Sequence, residues 1–189
     1  ADIGIVNNYR SKTTNKKKNL SHLFAKYDLD LNLENFDSSR LKMRMERVSN
    51  DSYLKVFNNH LTKSSVRPDD LDKLNNNVKL FLNHEKYNFE SGIETFESLN
   101  KINSDRYQYI FPYYNFDTSI TQNYLEGDLT FFSSGSNELI NTNNLKTLIN
   151  NDLIYSSRNH IFDTGLNSNF EINLKNLNSI GKKVSNYKS

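Results

Sequence analysis

The sequence predicts an all-β protein, an antiparallel meander of about 8–10 long strands. Short alternations of polar and apolar residues recur along the chain, and clusters of Asn, Ser, Asp and Gly separate them. A period of two places successive side chains on opposite faces of a strand. The sheet is therefore expected to have one polar and one apolar face, and the apolar face needs a cover, either a second sheet or lipid.

Composition agrees with such a sheet. Hydrophobic residues make up 35% of the chain, whereas about 45–50% is usual for a soluble domain when glycine is counted. Aromatic residues nevertheless reach 12%, which argues against disorder. A polar chain rich in Tyr and Phe is typical of a membrane barrel with a wet interior. A secreted β-sandwich with a polar outer surface would have the same composition.

Charge and cysteine content exclude several classes of function. The net charge is +2, so we expect no nucleic-acid partner. The chain has no Cys, which removes disulfides, thiol catalysis and cysteine-ligated metals. No apolar run is long enough for a transmembrane helix. Residues 1–4 do not resemble a secretory signal, so we expect that a signal was removed or that the chain was cut from a longer protein.

The first half of the chain contains three predicted strands and one long loop. Residues 2–9 form the first strand and residues 11–18 a lysine-rich loop. Residues 20–33 are predicted as one long strand, in which the odd positions from Leu23 to Leu33 are apolar and the even positions from His22 to Asp30 are polar, with Phe24 as the exception. Residues 41–46 also alternate, although Leu41, Met45 and Val48 fit a helix equally well, and the neighbouring strands favour β structure. Residues 49–72 are predicted as an irregular loop with a short strand at 53–57.

The remaining predicted strands follow from residue 74 onward. Residues 74–82 and 87–96 form a hairpin whose turn is 83–86. Residues 106–116 form a strand in which Pro112 marks an end or a bulge. Residues 124–134 are a strand followed by a turn at 134–137, and strands at 145–155 and 162–178 flank a turn at 156–160. These strands are about nine to twelve residues long, as a tilted strand needs to cross a bilayer.

The sequence predicts no enzyme, no metal site and no cofactor. His22, His60, His84 and His160 show no metal-ligand spacing. Residues 69–72 are acidic but lack the glycine and distal glutamate of an EF-hand. No nucleophile elbow or phosphate-binding loop is present. A glycosidase needs two carboxylates facing each other across a cleft, and the spacing of carboxylates along one strand does not reveal such a pair.

The segment 47–57 resembles a segment of one family, the LPS-assembly outer-membrane proteins, also called organic-solvent-tolerance proteins. The likeness is carried by six residues, with Leu54 and Val56 departing from the family pattern: Val48, Ser49, Asp51, Ser52, Tyr53 and Phe57. Residues 104–116 and 173–183 are similar to later barrel segments of the same family, in the same chain order. The resemblance covers nearly the whole chain.

The resemblance implies a part of a larger protein. Family members combine a periplasmic β-jellyroll with a barrel of about two dozen strands, so residues 1–189 are expected to form a transmembrane arc of that barrel without an internal domain boundary. The implied location is the outer membrane, and the implied role is assembly of lipopolysaccharide into the outer leaflet without chemistry. The implied partners are lipopolysaccharide, a lipoprotein plug in the lumen, a periplasmic LPS-bridge protein and outer-membrane lipid. The disulfides of better-known members have no counterpart here.

In such a wall, the side of each strand that carries the charged residues should face the lumen. A charge on the lipid side costs about 2–4 kcal/mol at the midplane. The predicted lumen-facing residues are Lys42, Arg44, Glu46, Glu90, Glu94, Glu171 and Lys175.

Two other interpretations fit the pattern. One is a complete small porin-like barrel, in which residues 2–9 would pair with residues 162–178. The other is a soluble, secreted β-sandwich or solenoid that binds carbohydrate through Tyr and Phe.

Overall fold

The computed structural model describes residues 1–11, 15–122 and 126–184, which form one antiparallel meander. Nine strands follow one another across the sheet in chain order, with every neighbouring pair antiparallel. The predicted fold class is thereby confirmed at the level of an all-β antiparallel meander of long strands. These strands are β1 (Asp2–Arg10), β2 (Lys17–Asp30), β3 (Ser38–Val48), β4 (Lys73–His84), β5 (Tyr87–Ser98), β6 (Tyr107–Gln122), β7 (Gly127–Ile140), β8 (Asn144–Ser157) and β11 (Glu171–Lys182).

The segment predicted as β or helix at 41–46 is a strand. In β3, Leu41 pairs with Leu29 on one side and with Leu80 on the other. The helical spacing of Leu41, Met45 and Val48 is therefore incidental, because pairing on both sides outweighs the local preference.

The short strand predicted at 53–57 is wrong. Two single helical turns lie there, α1 (Tyr53–Val56) and α2 (Asn58–Leu61). Tyr53 and Leu54 are both buried, although consecutive residues of a strand would point to opposite faces. Residues 49–72, which we call the capping segment, fold back on the upper end of the sheet, defined as the end where β3 stops and β4 starts. A further 3-10 turn occupies Asn103–Arg106.

The turn predicted at 134–137 is also wrong, because β7 continues through it. Gly135 pairs with Tyr114 on one side and Ile149 on the other. A Cβ at Gly135 would lie 2.4 Å from Cε1 of Tyr114. The glycine therefore makes room for an aromatic ring on the neighbouring strand, which is a packing role rather than a turn. The predicted start of this strand, residue 124, lies outside the described residues.

The last predicted strand starts too early. Residues 162–170 do not belong to the sheet, since a small hairpin of β9 (His160–Ile161) and β10 (Asn167–Ser168) precedes β11. Gly165 lies at its tip with a positive φ of 80°, a conformation that glycine adopts without a steric penalty. Likewise β2 ends at Asp30 rather than at residue 33.

Pro112 lies in a bulge in the middle of β6, as its missing N–H predicts. The pairing of β5 with β6 jumps from Gly92↔Tyr113 to Glu94↔Ile110. Two residues of β6, Phe111 and Pro112, therefore stand opposite one residue of the neighbour.

The small core lies between the upper end of the sheet and the capping segment. Phe24 is fully buried, at 0% exposure. It belongs to a cluster of seven buried apolar residues, namely Leu20, Phe24, Tyr53, Leu54, Leu61, Leu74 and Leu99.

Neither edge of the sheet is closed. Among the described residues, β1 pairs only with β2 and β11 only with β8. The closing pair that a complete small barrel would require is not formed. Because nine strands alternate in direction, β1 and β11 run the same way, so a direct pair between them would have to be parallel.

Candidate functional site

The pairing register divides the sheet into two chemically different faces. Directly opposed residues of neighbouring strands share a face. One face, the polar face, includes the row Lys26, Arg44, Asn77 and Glu94. The other, the apolar face, includes the row Tyr27, Met43, Val78 and Ile93.

Away from the strand ends, charged residues lie only on the polar face of the described strands. Among the described strands, every Asp, Glu, Lys and Arg with at least two strand residues on each side of it lies there, namely Lys26, Asp28, Arg40, Lys42, Arg44, Glu46, Lys79, Glu90, Glu94, Asp117, Glu138, Lys146, Asp152 and Lys175. Charged residues of the apolar face, such as Arg47 and Glu97, lie next to strand ends.

All seven predicted lumen-facing residues lie on the polar face. Lys42, Arg44 and Glu46 are on β3, Glu90 and Glu94 on β5, and Glu171 and Lys175 on β11. They do not form one cluster, since β3 and β11 lie near opposite edges of the sheet. The structure brings Glu90 and Glu94 into one cavity and Lys42 and Arg44 into another, and Arg44 donates a hydrogen bond to Glu46.

The polar face is concave. A cavity of about 390 Å3 is lined from six neighbouring strands, β4 to β8 and β11. Its lining is mixed and includes Lys79, Glu90, Glu94, Tyr113, Asn115 and Asn150. The sheet therefore curls around its charged surface and leaves the apolar surface on the outside.

Three of the charged residues in this cavity have partners beside them. Lys79 forms an ion pair with Glu94, and its Nζ lies 5.7 Å from the ring centroid of Tyr113. The Tyr113 hydroxyl donates to Glu90 Oε1 at 2.8 Å. A lining of charged groups, amides and hydroxyls suits contact with water or polar solutes.

The apolar face is largely uncovered. Its side chains remain exposed across the whole width of the sheet, from Ile5 (68%) on β1 to Ile180 (71%) on β11. Other exposed members are Tyr27, Met43, Met45, Ile93, Ile149, Ile172 and Leu174. An apolar surface that runs across nine strands is far more than soluble monomers usually expose, and it marks a binding or membrane surface.

The six residues of the family-like motif lie at the end of β3 and the start of the capping segment, and several of them fasten the segment to the sheet. Ser49 bonds to Ser21 twice, from its amide to the Ser21 carbonyl at 2.9 Å and from the Ser21 amide to its hydroxyl at 2.7 Å. Phe57 packs on Tyr53, and Val48 and Phe57 contact the buried cluster. The amide of Ser52 donates to Asn50 Oδ1 at 2.9 Å.

A buried polar network under the capping segment was not predicted. The Nδ1 atom of His22 lies 2.7 Å from the Tyr53 hydroxyl, and its Nε2 lies 3.3 Å from Asp2 Oδ1. The ring of His22 stacks on Phe24 with centroids 4.5 Å apart. This network joins the edge strand β1, β2 and the capping segment. The apolar residues Leu20 and Phe24, at even positions that are otherwise polar in β2, are the sequence signal that something covers this end.

Arginines fasten the capping segment from two sides. Arg106 reaches Asp51 Oδ1 at 2.7 Å and also contacts Glu97, and the hydrogen bond from Arg106 lowers the pKa of Asp51. Arg44 reaches Asp69 Oδ2 at 2.9 Å, and this bond likewise lowers the pKa of Asp69. Burial raises the pKa of the Tyr53 hydroxyl.

Within the described part of the chain, no three His, Asp or Glu side chains come together as metal ligands would. None of the helices described is long and apolar enough to span a bilayer. Comparison of the chain with protein-family models, with curated proteins and with solved structures finds no match.

Proposed function

We propose that the chain forms an arc of the wall of an outer-membrane β-barrel, with the polar face toward the lumen and the apolar face toward lipid. The confinement of strand charges to the concave face carries this proposal. A charge on a lipid-facing position costs about 2–4 kcal/mol at the midplane, which explains why the exposed apolar face avoids them. Strands of 9 to 16 residues are long enough to cross a bilayer at a tilt.

The other interpretations fit less well. A soluble sandwich needs a second layer over the apolar face, and the described residues place only the capping segment on the sheet, at its upper end. A complete small barrel would have to close through a parallel pair of β1 and β11. Bacterial barrels usually have an even number of antiparallel strands. An arc that is continued by an odd number of further strands closes with antiparallel pairs throughout.

We further propose, from the family resemblance, that the barrel assembles lipopolysaccharide. Its partners would be lipopolysaccharide, a lipoprotein plug, a periplasmic LPS-bridge protein and outer-membrane lipid. The reaction is translocation without bond making or breaking. The polar face offers paired charges, amides and hydroxyls to the saccharide, and the apolar face offers an aliphatic surface to the acyl chains.

Two tryptophan variants test the orientation of the wall. The chain has no Trp, so Met43→Trp and its strand neighbour Lys42→Trp each introduce a single probe, on opposite faces. In bilayers, we expect lipids with brominated acyl chains to quench the probe at 43 and aqueous iodide to quench the probe at 42. Equal quenching of both probes by brominated lipid would contradict a two-sided wall.

Depletion of the protein in its host tests the lipopolysaccharide role separately. We expect less lipopolysaccharide on intact cells, measured by antibody labelling, while an unrelated outer-membrane barrel stays at its normal level. Unchanged surface lipopolysaccharide would contradict the transport role but not the proposal that the chain forms a barrel wall.

A further inference from the structure

The sheet has a discontinuity between β3 and β4. Their ladder runs from Ser38↔Asn83 to Arg44↔Asn77 and stops, although β3 continues to Val48 and β4 begins at Lys73. Residues 45–48 and 73–76, all of them described, have no register pairs with each other, and we call these two stretches the seam. Each side of the seam stays in the sheet through its outer neighbour, β2 or β5.

Side chains replace the missing main-chain pairs. The amide of Glu46 donates to Asn76 Oδ1 at 2.8 Å, and the amide of Asn75 donates to Glu46 Oε2 at 2.6 Å. Glu46 is only 3% exposed, and its other oxygen accepts a hydrogen bond from Arg44. One carboxylate and one amide side chain therefore hold together what a regular ladder holds elsewhere.

Cavities lie on both faces of the sheet beside the end of the ladder. A cavity of about 380 Å3 lies on the apolar face. Six residues line this cavity and not the second one, namely Ala25, Met45, Asn76, Val78, Ile93 and Thr95. A second cavity of about 370 Å3 is lined mainly by the polar-face residues Lys26, Asp28, Lys42 and Lys79. Tyr27, Met43, Arg44 and Asn77 line both cavities. These four residues belong to the paired part of the strands, so the two cavities lie on opposite sides of the sheet next to the seam.

The capping segment connects the two strands of the seam and is fastened across it. Asp69 of this segment bonds to Arg44, which in turn bonds to Glu46. Its Leu54 is buried in one cluster with Leu74 of β4. Movement of the capping segment away from the sheet would remove the groups that fill and brace the seam.

We propose that the sheet opens locally at the seam, together with the capping segment, while the remaining ladders stay paired. Regions with few main-chain bonds open at lower free energy than a continuous sheet. The open state exposes the amides of the seam to solvent. This inference does not depend on the membrane role, because the opening is a property of the sheet itself.

Hydrogen exchange of single amides, followed by NMR on the full chain in detergent micelles, tests the opening. The amides of Glu46 and Asn75 are compared with those of Lys42 and Lys79, which lie at equivalent positions in the intact ladder. We expect the seam amides to exchange about tenfold faster, since one or two side-chain bonds replace several main-chain bonds. Exchange as slow as at Lys42 and Lys79 would overturn the proposal.

Replacement of an exposed carboxylate of the capping segment tests whether this segment braces the seam. Asp69→Asn removes the ion pair with Arg44, and Asp28→Asn removes a similar exposed pair with Lys42 outside the seam. We expect Asp69→Asn to speed exchange at Glu46 and Asn75 by about twofold to fivefold, the range of an exposed ion pair, and Asp28→Asn to leave it unchanged. An equal rise in the exchange rate of every strand amide would mean global loosening and would contradict local opening at the seam.

Discussion

Single residues decide how neighbouring strands fit together in this sheet, and Gly135 is a clear case. The ring of Tyr114 lies where the side chain of residue 135 would stand. We expect Gly135→Ala to destabilise the folded chain by about 1–3 kcal/mol, the usual effect of overpacking. Urea unfolding in detergent micelles measures it, with Ser136→Ala on the same strand as the control.

Tyr114→Ala supplies the second half of a double-mutant cycle. If the clash with the ring is the cause, the combination Gly135→Ala with Tyr114→Ala loses less stability than the sum of the two single losses. Strict additivity of the two changes would exclude this explanation.

At the scale of elements, Phe24 is the most buried residue of the cluster on which the capping segment packs. Phe24 is fully buried, whereas Phe132 on the same face is 42% exposed. We expect Phe24→Ala to cost about 3–5 kcal/mol, as for buried aromatic residues. Phe132→Ala should cost clearly less, because much of its ring is already in contact with solvent. Similar losses of unfolding free energy for the two variants would argue against a localised core.

The ion pair of Asp51 with Arg106 makes the attachment of the capping segment sensitive to acid. The pKa of Asp51 is lowered in the folded state, so the stabilisation is present above the unfolded pKa of about 3.9 and is lost as the pH falls through the folded pKa. We expect Asp51→Asn to lower the unfolding free energy at pH 7 by about 0.2–1 kcal/mol, as for exposed ion pairs.

The same comparison in acid is the decisive control. Once Asp51 is protonated in both states, the difference between the wild type and Asp51→Asn should disappear. A difference that stays constant down to the lowest pH would assign the effect to packing rather than to charge.

Alternation along the chain predicted the strands and the two faces well, because a period of two survives in any sheet with one wet side. All seven predicted lumen-facing residues share the polar face for this reason. Misinterpretations arose where a local signal has two physical causes. Gly135 relieves a clash across strands instead of forming a turn. Tyr53 and Leu54 are consecutive and both buried, which a helical turn allows and a strand does not. The bridge formed by Glu46 depends on where two strands separate, which no single segment reveals.

At the scale of the whole molecule, the open edges decide what the sheet can become. Because β1 and β11 run in the same direction, we expect no direct closure of the chain upon itself. The double variant Ile5→Cys with Ile180→Cys, one change on each edge strand, should form no intramolecular disulfide in bilayers. The pair Tyr155→Cys and Ile172→Cys, which are opposed in the β8–β11 ladder, serves as the positive control. An efficient link between positions 5 and 180 would revive the complete small barrel.

The bulge at Phe111 and Pro112 determines which face of the sheet each later residue of β6 points to. Ile110 and Tyr113 both lie on the polar face although three positions separate them. Without the additional residue, the polar and aromatic sides of the rest of β6 would change places, and Asp117 would turn outward. Insertions and deletions of single residues are therefore tolerable between the strands, whereas inside a strand they act like a frameshift unless a bulge absorbs them.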